Sequence, residues 1–246
     1  MAEPGAKVKG KAGDAGNASR AGAGDAVSLS IETAAGAVSG LAYAPADARA
    51  AYVLAHGAGA GMAHPFMAAV ARGLAERGIA SLRYQFPYME RGSKRPDTPK
   101  VAHATVRAAV AEAVRRWPRL PLFAGGKSFG GRMTSQAQAL EPLTGVRGLV
   151  FFGFPLHPAG KPSDERAAHL HDVRVPMLFL QGTRDELAAP ELLRPLVERL
   201  GDRATLHDLV HADHSFHTVA RSGRSDDEVR HELLETSAAW MKAWSR

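Results

Sequence analysis

Between Leu122 and Met133 the chain crowds four glycines around one serine, in the order Gly125-Gly126-Lys127-Ser128-Phe129-Gly130-Gly131. No other stretch restricts the possible folds so tightly. The apolar Leu122-Phe123-Ala124 before it suits a buried strand, and the run from Arg132 to Leu140 suits a helix. A strand that becomes a helix within so few residues strains the backbone at the turn. Glycines two positions to either side of the serine let neighbouring main chain approach where a Cβ would clash. The string Gly126-Lys127-Ser128-Phe129-Gly130 fits the G-x-S-x-G elbow, which pushes the serine Oγ out above a sheet. There the hydroxyl lies at the positive end of the following helix, where a backbone N–H can meet a developing oxyanion. Alone, the string also describes an ordinary glycine-rich turn; its strand and helix flanks favour the elbow.

The rest of the chain repeats this alternation. Val27 to Ile31 and Val38 to Tyr43 have period two with Ala35-Gly36 between them, which predicts an antiparallel hairpin. Ala51–Ala55, Ile79–Tyr84, Gly148–Phe154, Met177–Gln181 and Ala204–Val210 read as further strands, the apolar runs among them suiting a buried parallel sheet. Helical spacing covers Pro65–Arg77 (Phe66, Val70, Leu74) and Val101–Trp117 (Val106, Val110, Val114, Trp117). Pro190–Leu200 is a helix with a break near Pro195. A capping box, Ser225-Asp226-Asp227-Glu228, opens a last helix with Val229, Leu233, Trp240 and Trp244 on one side. Gln85–Lys100 reads as a surface loop, and Pro155–Val175 is too short and polar for a large lid. The fold class is therefore α/β: a mostly parallel central sheet, an N-terminal antiparallel hairpin, helices on both faces and a minimal lid. Residues 27–246 form one domain, and residues 1–26 an Ala/Gly-rich disordered tail.

Composition narrows the chemistry. The 246 residues are 45% apolar, enough for one sizeable core. Cysteine is absent, which excludes disulfides, thiolate metal sites and a cysteine nucleophile. No apolar run could span a bilayer, and the first residues lack the apolar stretch of a signal peptide, so a cytoplasmic protein with no membrane partner is expected. The net charge of +6 is concentrated between Arg83 and Arg119, where nine Lys/Arg stand against three acids. No nucleic-acid motif or aromatic interleaving accompanies that window, so it reads as a solvated face rather than a nucleic-acid site. The loop His56-Gly57-Ala58-Gly59-Ala60-Gly61-Met62 resembles part of a dinucleotide fingerprint, but it lacks the final spacing and no acid ends the next strand. No cofactor and no metal is expected.

A serine hydroxyl becomes nucleophilic when a base takes its proton, and that base needs an orienting carboxylate. In sheets of this kind active groups gather at the carboxyl ends of strands. Asp185 lies four residues past the strand ending at Gln181, and His214 four past the strand ending at Val210. Asp185 is preferred to Glu186 because it is nearer its strand. His214 is preferred to His211, still at the strand terminus, and to His217, which can already be helical. Asp213 reads as a loop-stabilising side chain. The order Ser128, Asp185, His214 is the serine, acid, histidine order of α/β-hydrolases. Oxyanion donors would be the amides of Phe129 and Ala58, with Gly59 as rival to Ala58. His56 braces this loop. Lys127 either pairs with a nearby acid or anchors an anionic acyl group, and Tyr84, Phe86 and Tyr88 either wall a pocket or pack beneath the loop.

With these residues assembled, the chain resembles the dienelactone-hydrolase-like branch of the α/β-hydrolases, and within it bacterial relatives of the testis-expressed, KANSL3-type hydrolase-like group. The matching strings are His56 to Met62, Gly125 to Met133, Phe152-Gly-Phe-Pro-Leu-His157 and Asp213-His-Ser-Phe216. The resemblance implies an α/β-hydrolase fold with Ser128, Asp185 and His214 as triad. Dienelactone hydrolases themselves use a cysteine nucleophile, which this chain lacks. The function expected is a serine hydrolase acting on a small-molecule acyl ester; the alternative is a non-catalytic binding or scaffold protein on the same fold.

Overall fold

The structure, a computed structural model, describes Met1 and residues 26–245. The Ala/Gly-rich tail read over residues 1–26 lies, apart from its two ends, outside the described residues. The period-two segments pair as the antiparallel hairpin of β1 (Val27–Thr33) and β2 (Gly36–Tyr43). The apolar runs become β3 (Ala50–Ala55), β4 (Ile79–Tyr84), β5 (Leu122–Lys127), β6 (Val146–Phe152) and β7 (Met177–Gly182). β8 (Ala204–Leu209) lies at the edge and is only partly buried. The eight strands run in the order β1-β2-β4-β3-β5-β6-β7-β8. β2 meets β4 antiparallel, and every pairing from β4 to β8 is parallel. The expected sheet, hairpin included, is the one observed.

Each inner strand feeds two cores, which is why its sequence is apolar without alternation. Ala51, Val53 and Ala55 of β3 face one cluster, while Ala50, Tyr52 and Leu54 face the other. The first cluster is closed by α3 (Pro99–Arg116), α4 (Phe129–Leu140) and α5 (Pro190–Leu200), through residues such as Val106, Met133 and Leu196. The second is closed by α1 (Pro65–Ala75) and α6 (Asp226–Ala243), through Met67, Leu74, Leu233 and Trp240. The capping box that opens α6 is formed: Ser225 Oγ accepts from the Glu228 amide at 3.2 Å, and Glu228 Oε2 accepts from the Ser225 amide at 2.7 Å.

Three sequence expectations change. Gln85–Lys100 is not simply a surface loop, because it contains the short helix α2 (Pro87–Glu90) and completely buries Phe86 and Tyr88. These rings pack edge-on and tilted against His56 and Phe129, so the aromatic run packs beneath the loop instead of walling a pocket. Its apolar residues answer to ring packing and carry no helical or strand period. α5 continues through Pro195, although a ring there forfeits one main-chain hydrogen bond. Trp244 lies past the end of α6 and is 43% exposed, leaving Val229, Leu233 and Trp240 as the buried row. Pro155–Val175 carries a 3₁₀ segment, Glu165–Asp172, held to α4 where His169 Nε2 lies 2.8 Å from Ser135 Oγ. Among the described residues no helix is long and apolar enough to cross a membrane.

Candidate active site

The turn from β5 to α4 depends on close main-chain contact. A Cβ on Gly126 would sit 2.1 Å from the Ala55 carbonyl oxygen, and one on Gly130 would sit 2.6 Å from the carbonyl oxygens of Ala55 and His56. The end of β3 therefore presses on both glycines of the elbow. Ser128 between them is held at φ 49°, ψ −114°, a conformation unusual for a residue with a side chain. That strain is what lifts its Oγ clear of the sheet.

Asp185 and His214 hang from loops at the same end of the sheet, after β7 and β8. Ser128 Oγ lies 2.9 Å from His214 Nε2, and His214 Nδ1 lies 2.7 Å from Asp185 Oδ2. The tautomer follows from the partners. A carboxylate accepts only, so Nδ1 carries the proton and Nε2 is left to accept from the serine hydroxyl. Asp185 is 3% exposed. Besides the imidazole it accepts from Gln181 Nε2 at 2.5 Å and from the Leu187 amide at 2.8 Å. Gln181 is itself fixed, because its Oε1 accepts from the Phe154 amide at 2.9 Å.

Sequence reasoning missed Gln181. The signal was a polar residue closing the otherwise apolar strand Met177-Leu-Phe-Leu-Gln181. Glu186, the rival acid, is exposed and outside this chain of hydrogen bonds. His211 is exposed, and His217 is exposed, non-helical and paired with Asp226 at 2.7 Å. Asp213 Oδ1 accepts from the amides of Ser215 and His217 at 2.7 and 2.9 Å, which folds the loop that presents His214.

Lys127 turns away from the open side of the serine. Its Nζ donates to the His214 carbonyl oxygen and lies 4.9 Å from the centre of the Phe216 ring. Burial pulls its pKa down to about 8, opposed by the nearby Asp185 and Asp213 carboxylates. It ties the histidine loop to the elbow.

Two backbone amides beside Ser128 are left without an acceptor. Phe129 is the first residue of α4, and neither its N–H nor that of Ala58 has an acceptor among the described residues. Gly59, the rival to Ala58, has its amide bound to the Tyr88 hydroxyl at 3.0 Å. The Met62 amide is likewise taken, by Gln85 Oε1 at 2.8 Å. The Gly59, Ala60 and Met62 amides of this loop are thus bound within the protein, and that of Ala58 is not. His56 accepts from the Phe86 amide at 3.1 Å and bonds the Gly57 carbonyl at 2.8 Å. Burial lowers its pKa to about 4, which keeps it neutral as a brace.

Ala58, Ser128 and Phe129 line one cleft of about 350 Å³, with Met133, Arg132 and Arg166 along its wall. The other close serine–histidine pair, Ser135 with His169, differs in kind. Ser135 lies inside α4 and is fully buried, and its Oγ donates to the Arg132 carbonyl at 2.9 Å. His169 has no carboxylate hydrogen-bonded to it among the described residues, and burial with the Arg132 charge holds its pKa to about 4. Among the described residues no group of three or more His, Asp or Glu is arranged to hold a metal ion.

A family model described as "Alpha/beta hydrolase domain" matches residues 48–242. Among solved structures, an α/β serine hydrolase without a lid from Xanthomonas campestris is 22% identical. It aligns with 88% of this chain and 95% of its own at a TM-score of 0.69. A dienelactone hydrolase from Anabaena variabilis is 20% identical, over 90% of this chain and 99% of its own, at a TM-score of 0.74. A cold-adapted esterase from an Arctic intertidal metagenomic library is 19% identical, over 89% and 93%, at a TM-score of 0.62. At these identities the likeness is one of fold.

Proposed function

The chain belongs to the alpha/beta hydrolase domain family, and on that basis we propose that it is a serine hydrolase cleaving small or medium acyl esters through an acyl-enzyme. The observation that carries the proposal is the unbroken hydrogen-bonded line from Asp185 through His214 to Ser128, 2.7 and 2.9 Å per link, converging from loops after β7, β8 and β5. Ser128 Oγ attacks the ester carbonyl carbon while His214 Nε2 takes the hydroxyl proton. Buried Asp185 holds the imidazole in the required tautomer and faces the imidazolium as it forms. The amides of Phe129 and Ala58 donate to the oxyanion of the tetrahedral intermediate. The intermediate collapses, the alkoxide leaves with the proton from His214, and Ser128 keeps the acyl group. Water, deprotonated by the same imidazole, then attacks the acyl-enzyme and releases the acid.

Substrate size is inferred from the cleft of about 350 Å³ and the short Pro155–Val175 connection beside it. A structural neighbour named as a serine hydrolase without lid and another named as an esterase support the same reading. The narrower kinship with the KANSL3-type group is part of the proposal and rests on the four motif strings. A small-molecule partner is favoured over nucleic acid, since much of the basic window is engaged within the protein. Arg83 donates to the Met62 carbonyl at 3.0 Å, Arg91 pairs with Asp97 at 2.7 Å, and Arg107 donates to the Ala137 carbonyl at 2.6 Å.

A fluorophosphonate probe should label the wild-type protein on Ser128 and leave Ser128→Ala unlabelled, and 4-nitrophenyl butyrate turnover should vanish in the same variant. Folded wild-type protein that takes up no probe at neutral pH would sink the proposal and favour the scaffold alternative.

A further inference from the structure

Arg132 and Arg166 stand in the wall of the Ser128 cleft. Arg132 lies one helical turn beyond Ser128, its amide donating to the Ser128 carbonyl at 3.1 Å. Arg166 comes from the 3₁₀ segment packed on α4. Neither guanidinium has a hydrogen-bonded or ion-paired acceptor among the described residues, and Arg132 Nε is buried with no partner. Arg83 Nε is likewise buried without a partner, but what sets Arg132 and Arg166 apart is that both line the cleft that holds Ser128. Arg91, Arg199 and Arg230 pair with carboxylates, and Arg83 and Arg107 donate to carbonyls. Asp97 is the acid that lines the cleft, and it is committed to Arg91 at 2.7 Å and to the Tyr88 amide at 2.8 Å. Two like charges thus face one small space with no counter-charge of their own. Leaving the buried Arg132 Nε without an acceptor is unfavourable, and the half-buried Arg166 beside it adds a like charge that an entering anion would offset.

Resting on Ser128 as the nucleophile, we infer that the Arg132–Arg166 wall is an anion subsite and that the preferred ester carries a free carboxylate on its acyl chain. A guanidinium presents parallel N–H donors that match the two oxygens of a carboxylate. Residues one helical turn apart have Cβ atoms about 5–6 Å from each other, so a carboxylate on this wall lies only a few methylenes from the carbonyl under attack. The substrate class is the half-ester of a short dicarboxylic acid. Lys127, the cation nearest Ser128 in sequence, is tied to the histidine loop and does not line the cleft.

The test compares kcat/KM for 4-nitrophenyl hydrogen glutarate and its neutral methyl ester. Wild-type protein should prefer the anionic ester by about tenfold or more. Arg132→Met and Arg166→Met should each cut that ratio about tenfold, and Arg132→Lys should cut it less, with thermal melts showing that each variant is folded. A wild-type ratio of one or below, or a ratio unmoved in both folded Met variants, would overturn the subsite. If neither ester is cleaved, the nucleophile reading fails, and calorimetry on full-length Ser128→Ala decides the subsite separately. Monomethyl glutarate binding more tightly than dimethyl glutarate, with the difference abolished by Arg132→Met, upholds it; equal binding of the two overturns it.

Discussion

Replacing Asp185 with asparagine tests the site at its most constrained atom. Three donors converge on this carboxylate: the Leu187 amide on Oδ1 at 2.8 Å, and Gln181 Nε2 and His214 Nδ1 on Oδ2 at 2.5 and 2.7 Å. An asparagine oriented to keep the Leu187 bond turns its NH₂ toward two other donors. Flipping the amide instead opposes two N–H groups at Leu187. Gln181 cannot turn to offer its oxygen without abandoning the Phe154 amide at 2.9 Å. The cheapest escape lies with the imidazole, which can move its proton to Nε2 and accept from the new amide at Nδ1. That tautomer no longer accepts from Ser128 Oγ, so the base is lost. The analogous exchange in the serine-protease triad lowers kcat about 10⁴-fold, roughly 5.4 kcal/mol of barrier, and a similar loss is expected here. The remaining donor conflict at Gln181 should cost a further ~1–3 kcal/mol of stability, a fall of about 2–4 °C in melting temperature per kcal/mol for a domain of this size. Stopped-flow or steady-state hydrolysis of 4-nitrophenyl butyrate, with a melt of the same sample, reads both quantities. A folded Asp185→Asn protein that keeps a tenth or more of wild-type kcat would refute the reasoning, because the imidazole would then be oriented by something else.

Two further outcomes concern the scaffold. Gly126→Ala places a methyl group 2.1 Å from the Ala55 carbonyl oxygen at φ +148°, so both contact and backbone oppose it. A loss of about 4 kcal/mol or more is expected, and a melting temperature within 2 °C of wild type would contradict the elbow geometry. His56 and His169 both have pKa values lowered to about 4 by burial, against about 6.5 in the unfolded chain. Between those values the unfolded state binds more protons, so stability is lost as pH falls from 6.5 toward 4, by up to about 1.4 kcal/mol per pH unit for each histidine. Urea titrations across this range should show a shallower slope in His169→Gln; an unchanged slope would remove His169 from the account.

The parts of this molecule legible in the sequence are those whose cause is local. Gly126 and Gly130 announce an elbow because a Cβ there is excluded, and the apolar run Ala51–Ala55 announces a strand with both faces covered. The positions of Asp185 and His214 after their strands followed from topology, since parallel strands bring their carboxyl ends to one rim. What stayed hidden depends on contacts between loops. Gln181 supports Asp185 only once β6 lies beside β7 and brings the Phe154 amide within reach. The Tyr88 hydroxyl takes the Gly59 amide from a segment that looked like solvent-facing loop. Arg132 and Arg166, 34 positions apart by their numbering, carry no periodic signal that they share a cleft. Lys127 beside the serine drew attention by adjacency, whereas its side chain reaches the opposite way, to the histidine loop.

Ser128 and His214 are separated by 86 positions, and His214 closes against Asp185 only when β8 has docked on β7. Under the proposed mechanism, a growing polypeptide carries an inert alcohol until its last strand leaves the ribosome and zips into place. On the same mechanism truncated or half-assembled molecules would hold no unguarded reactivity, and a covalent probe of that oxygen would act as a clock for the docking of β8.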